Sequence, residues 1–94
     1  MHKKVQEFND YRSKMNEKIL ATDNKVIKRI FNLDTNTFAA GHLPVKTKEL
    51  LGLVASAVLR CDDCIQYHLE AAKKNGVTTE EMMETMSIAN LVGG

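Results

Sequence analysis

The chemistry this chain can offer rests on two cysteines, a histidine and a glutamate. Cys61 and Cys64 are its only cysteines and stand three residues apart, and His68 follows the second by four. On a helix, residues three, four and seven apart share one face. Cys61, Cys64 and His68 then form a stripe of two thiols and a base able to deprotonate one of them. A free thiol has a pKa near about 8.5, so little of it is thiolate, the attacking form, at neutral pH. Two features raise that fraction. A helix beginning near Asp62 places Cys61 among unpaired N–H groups that favour an anion. His68, one turn beyond Cys64, can take its proton or pair with its thiolate. They point to different cysteines, and Asp62 and Asp63 oppose both, because nearby negative charge disfavours a thiolate. The residues alone leave the nucleophile open.

Glu49 alone reads as an exposed carboxylate at a helix start, and its case rests on the family resemblance given below and on a helical hairpin. In one straight helix, twelve residues at 1.5 Å each put it about 18 Å from Cys61, out of reach. If the chain instead reverses near residues 60–62 as a helical hairpin, Glu49 lies opposite roughly residue 72, about one turn from His68. A long side chain or one water closes that gap. The role open to Glu49 is to orient His68 and stabilise its charge, the third-group logic of a catalytic triad. That role requires the bend.

The elements that must hold these residues read as helices. Ninety-four residues make one domain, 1–94, with N-terminal helices over 1–35 and a Cys-x-x-Cys core over 38–94. Such a chain buries only roughly 60–65% of its unfolded surface and leans on partners. Aromatics are scarce and Trp is absent, so the core comes from Leu, Val, Ile, Met and Ala, which suits helix-on-helix packing. The expected fold is all-α: a compact bundle of about five helices with a central hairpin carrying the cysteines. Val5, Phe8, Tyr11, Met15 and Ile19 step by three and four over residues 3–20. Thr22-Asp23 offers a cap for a second helix with Val26, Ile27, Ile30 and Phe31 on its apolar face. Asn32 to Thr37 reads as the turn that ends it, and Phe38 to Pro44 as a connection broken by Gly41 and Pro44.

After Pro44 the chain is apolar on nearly every side from Leu50 to Leu59 and reads as a buried central helix, with Gly52, Ala55, Ser56 and Ala57 letting neighbours approach. The next helix holds Cys64 to Lys74 and stops at Asn75-Gly76, with the glycine as its left-handed end. Thr78-Thr79-Glu80-Glu81 is a capping box. It opens a last helix with Met82, Met83, Met86, Ala89 and Leu91 inward. The apolar finish, Ile88 to Gly94, is expected to meet a further helix or a partner subunit.

The totals exclude several classes of function. A net charge of +1 makes no field for nucleic acid or acidic membranes. The polar start has no apolar signal segment, and no stretch approaches a membrane span, so the chain is expected in the cytoplasm. There a cysteine pair is more often catalytic or metal-binding than structural. A zinc reading has Cys61, Cys64 and His68 as three ligands, with only His2 and His42 remaining as a fourth. A closed site wants four good ligands on a knuckle or ribbon. The redox reading is preferred, with no metal and no cofactor. His42 is read as a loop residue, Tyr67 as packing, and the methionines as core or interface.

Lys46-Thr47-Lys48-Glu49-Leu50, Cys61-x-x-Cys64-x-x-x-His68, Gly76 and Thr79-Glu80-Glu81 together resemble the AhpD-like (alkylhydroperoxidase D-like) branch of the carboxymuconolactone decarboxylase family. The resemblance covers residues 38–94. It implies an all-α fold, assembly into trimers or hexamers, and antioxidant reduction of hydroperoxides by a dithiol/disulfide cycle. In that scheme Cys64 is the peroxidatic thiol, Cys61 the resolving one, His68 the base and Glu49 its carboxylate relay. The implied partners are a hydroperoxide substrate and a dithiol donor, either a lipoyl group or a thioredoxin-like protein. Some peroxidase members have a histidine immediately before the second cysteine, where this chain has Asp63. Two other readings compete: a lactone decarboxylase-like enzyme with incidental cysteines, and a non-catalytic zinc-binding or redox-sensing module.

Overall fold

The computed structural model describes residues 2–94, with side chains from residue 3 onward. Among them there are five helices and no strand: α1 (His2–Ala21), α2 (Lys25–Phe38), α3 (Val45–Val58), α4 (Asp62–Lys74) and α5 (Thr79–Gly93). The fold is all-α, as the composition and periodicity require. Contacts divide it into two units, one ending at Thr37 and one comprising Phe38–Gly94.

In the first unit, α1 and α2 are joined by a tight turn in which Asp23 adopts a positive φ of 60°. The expected Thr22-Asp23 cap is corrected to Asn24. Its side-chain oxygen accepts from the backbone N–H of Val26 and Ile27, at 3.0 and 3.1 Å. This satisfies two of the four N–H groups a helix start leaves without partners. The expected turn over Asn32–Thr37 is also corrected, because α2 runs through it to Phe38. The polar side chains that favour turns are here reconciled with helix. Thr37 donates its hydroxyl to the carbonyl of Leu33 at 2.7 Å, one turn back, and Asn36 donates to Asn32. Tyr11, Val26, Ile30 and Leu33 remain exposed.

The second unit is a three-helix arrangement in which α3 packs against both α4 and α5. Leu53 and Ala72 are fully buried, with Val77 and Ala89 nearly so. Two chain reversals build it, and both are Schellman motifs. At the end of α4, Gly76 has φ 82°, its N–H donates to Lys73 and the N–H of Val77 to Ala72. Val77 and Ala72 are the paired apolar positions this motif brings together. At the end of α3 the same pattern recurs: Arg60 N–H donates to Ala57, and Cys61 N–H to Ser56. The left-handed residue there is Arg60, at φ 59°, rather than a glycine. The closing residue of this motif, Cys61, is also the N-cap of α4. One residue therefore ends the reversal and begins the helix that carries Cys64 and His68.

Helix α5 opens on the expected capping box. Thr78 accepts from the Glu81 N–H at 3.1 Å, and Glu81 accepts from the Thr78 N–H at 2.9 Å. Lys46 of α3 pairs with the other Glu81 oxygen at 2.9 Å, tying the two helix starts together. Met82, Met86 and Ala89 face inward, but Met83 and Leu91, expected with them, are exposed. Steps of four and three keep one face, whereas Met83 and Leu91 fall about 100° and 200° off it. Helix α3 is likewise less covered in this chain than its apolarity suggests: Glu49, Leu53 and Ser56 are buried, while Leu51, Val58 and Leu59 are exposed.

Two measurements test this account. A non-glycine residue at positive φ costs of order 1–3 kcal/mol, most for a β-branched side chain. Arg60→Gly should therefore leave the urea midpoint unchanged or higher, and Arg60→Val should lower stability by about 1–3 kcal/mol. The bond from the Thr78 backbone, followed by Lys46, holds the Glu81 carboxyl below its ordinary range. A depressed carboxyl pKa contributes stability above the unfolded value and loses it as pH falls through the folded one. The melting-temperature advantage of the native chain over Glu81→Gln should be present at pH 7 and vanish on acidification through the carboxylate range.

Candidate active site

Cys61 and Cys64 are joined by a disulfide, with Cα atoms 5.2 Å apart. Cys61 sits before the first turn of α4, in extended conformation, and its sulfur accepts from the N–H of Cys64 at 3.3 Å. The sulfur thus occupies the place an N-cap oxygen normally takes, where unpaired N–H groups favour negative charge. Cys64 lies in the first turn and His68 one turn further on, on the same face. Asp62 and Asp63, between the cysteines, are exposed.

The reversal at Arg60 brings Glu49 of α3 onto His68. The imidazole Nδ1 lies 2.8 Å from Glu49 Oε1. An ionised carboxylate can only accept, so Nδ1 donates the proton of this bond, and in a neutral imidazole Nε2 then holds the lone pair. Both side chains are nearly removed from solvent, at 13% and 7% exposure. A buried carboxylate without a partner is costly, and a buried imidazole N–H without an acceptor is too. Each satisfies the other, and among the described residues no buried side-chain nitrogen or oxygen lacks a hydrogen bond. A hairpin by itself sets Glu49 about a turn from His68, a gap for its own length or a water to close; the contact is direct.

Three further residues surround the imidazole. The Phe38 ring lies against it with centroids 5.2 Å apart and a tilt of 34°, and Tyr67 meets it edge-on at 5.2 Å and 73°. Beneath the ring is Gly52. A Cβ there would stand 2.8 Å from Cε1, 2.9 Å from Nδ1 and 3.1 Å from Nε2 of His68. From the sequence, Gly52 reads only as easing helix approach and Phe38 only as part of a connection. The available signal was glycine's cost of about 1 kcal/mol inside a helix, which demands a local reason.

His42 is exposed in the connection before α3, and the side chain of His2 lies outside the described residues. No three His, Cys, Asp or Glu side chains among the described residues are arranged to hold a metal ion. A cleft of about 290 Å³ between the ends of α3 and α5, lined by Val58, Arg60, Met86 and Asn90, contains none of the four residues of the site. No helix of the described residues is long and apolar enough to cross a membrane.

The chain thus forms a helical hairpin with a cysteine pair at its bend and a carboxylate–imidazole pair across its helices. The chain belongs to the carboxymuconolactone decarboxylase family, whose model matches residues 24–94. It is 50% identical to a Thermotoga maritima protein known from two crystal structures. These superpose with TM-scores of 0.90 and 0.88, over 95% and 94% of this chain and 78% and 74% of theirs. One of the two is described as a member of this family with a suggested part in antioxidative response. Similar curated proteins are an uncharacterized product of the cox locus of Paracoccus denitrificans, 36% identical over 52 residues, and an uncharacterized protein of Cupriavidus necator, 33% identical over 54. The matches span 55% and 57% of this chain and about half the length of those relatives, 47% and 48%.

The Glu49–His68 bond makes a spectroscopic prediction. In ¹⁵N-resolved NMR of the oxidised protein, the neutral imidazole of His68 should show the Nδ1–H tautomer. Glu49→Ala should shift it toward a tautomer mixture, because the acceptor is gone.

Proposed function

We propose that this protein is a thiol-dependent antioxidant enzyme that reduces hydroperoxides through a dithiol/disulfide cycle of Cys61 and Cys64. The observation that carries the proposal is the pairing of Glu49 with His68 on the helix face that also holds Cys64. A carboxylate that holds Nδ1–H leaves Nε2 to act as base, and an imidazole one turn from a thiol is the usual means of making it a nucleophile. Cys64 is assigned the peroxidatic role on that ground. Its thiolate attacks the terminal peroxide oxygen, the O–O bond breaks, and the alkoxide leaves with a proton as alcohol. Cys64 is then a sulfenic acid. The Cys61 thiol condenses with it, releasing water and forming the disulfide seen in the structure. An external dithiol, from a lipoyl group or a thioredoxin-like protein, restores both thiols by exchange and leaves as its own disulfide.

Three things support this reading. The chain belongs to the family, the structural relative carries a suggested antioxidative part, and Cys61 and Cys64 are joined by a disulfide. The exposed apolar side chains Leu59, Ile88, Leu91 and Val92 support self-association, proposed as a trimer or hexamer.

Peroxide consumption with a dithiol donor tests the assignment. Cys64→Ser is expected to abolish turnover. Cys61→Ser should leave a sulfenic acid at Cys64 that dimedone traps. His68→Ala should lower the rate by about 10²–10⁴, the range a positioned base supplies. Full activity in Cys64→Ser would overturn the role given to it, and stoichiometric zinc surviving dialysis of the reduced protein would replace the redox reading.

A further inference from the structure

We infer that Gly52 and Phe38, neither part of the cysteine–histidine motif, are positioning residues that seat the His68 imidazole in the orientation from which it works on Cys64. The inference rests on the base role proposed for His68. Glu49 fixes one edge of the ring through Nδ1. A single hydrogen bond leaves the ring free to pivot about it, so its plane must be set by what lies on its faces. Phe38 lies at 5.2 Å with a 34° tilt, and Tyr67 touches an edge. Gly52 is the remaining support, because only hydrogen occupies the space where a Cβ would stand 2.8–3.1 Å from three ring atoms.

Those three distances have a direct consequence. Cβ contacts shorter than about 3.0 Å are not tolerated, so a larger residue at 52 must displace the ring. The imidazole is not a long side chain with slack to give. It sits on two rotatable bonds, is pinned at Nδ1, and is flanked by Phe38 and Tyr67. Movement off Gly52 therefore lengthens or breaks the Nδ1–H bond to Glu49, or drives the ring into its aromatic neighbours. Either outcome changes which nitrogen carries the proton and where Nε2 points. The same glycine is positioned by its own helix: Ser56, buried one turn on, donates its hydroxyl to the Gly52 carbonyl at 2.6 Å. Phe38 is the last residue of α2 and the first of the unit that holds the site, so the entry of the chain into this unit is also one wall of the seat.

The test reads the ring and the thiol separately. ¹⁵N-resolved NMR of the oxidised protein reports the His68 tautomer, and site-resolved alkylation of the reduced protein by iodoacetamide at pH 7 reports Cys64 reactivity. In Gly52→Val and in Phe38→Ala the Nδ1–H form should fall toward a mixture, and Cys64 alkylation should slow by roughly tenfold to a hundredfold, the scale of a small misplacement. Phe38→Tyr, which keeps the ring face, should restore both readouts, which a general loss of packing would not allow. Native tautomer and native rate in Phe38→Ala and Gly52→Val overturn the inference. If Gly52→Val does not fold, the Phe38→Ala and Phe38→Tyr pair decides it alone. His68→Ala is measured beside them. An unchanged alkylation rate there removes the base role on which the proposed function depends, while the tautomer shift still judges the seat.

Discussion

The site depends on one reversal of the chain, made at Arg60. Without it α3 and α4 would continue as one rod and carry Glu49 about five turns from His68. With it, Glu49 and His68 meet at 2.8 Å across the hairpin. The reversal is held by two backbone hydrogen bonds onto the end of α3 and by a left-handed Arg60, a conformation disfavoured for any residue but glycine. Cys61, as both the last residue of the turn and the cap of α4, lies where that conformational constraint is concentrated.

The pairing of Glu49 with His68 is an electrostatic matter before it is a catalytic one. A carboxylate with so little exposure has few partners to choose among. The imidazole supplies a donor that makes the burial tolerable, and in return the bond favours a proton on Nδ1. Gly52, Phe38 and Tyr67 complete the enclosure. The neighbourhood of the sulfurs is different in kind. Asp62 and Asp63 project into solvent, and the cysteines are only partly covered. The imidazole is nearly buried, whereas both cysteines are partly exposed.

Much of this was legible in particular residues. The capping box Thr78–Glu81 and the Asn75-Gly76 stop are local chemistry, decided within four residues, and both stand where their types place them. The spacing of Cys61, Cys64 and His68 carries the helical face with it. Less legible were segments whose signals compete. Asn32 to Thr37 has the composition of a turn, yet it stays helical because Thr37 and Asn36 find partners one turn back on their own helix. Met83 and Leu91 are apolar, and an apolar side chain does not state which face it will take when the neighbouring helix covers only one. Gly52 gave a warning through its low helix propensity without naming the ring it accommodates.

The sequence by itself determined the all-helical class, the capping box of α5, the glycine stop of α4 and the face on which the thiols and the imidazole stand, because each follows from hydrogen bonds and periodicity within a few neighbouring residues. Only the tertiary structure decided that Glu49 bonds Nδ1, that Phe38 and Gly52 frame the ring, and that an arginine takes the left-handed position at the bend. Those facts join residues many positions apart. They depend on the angle and register at which α4 folds back on α3, quantities set by the packing around Leu53 and Ala72 rather than by any local pattern.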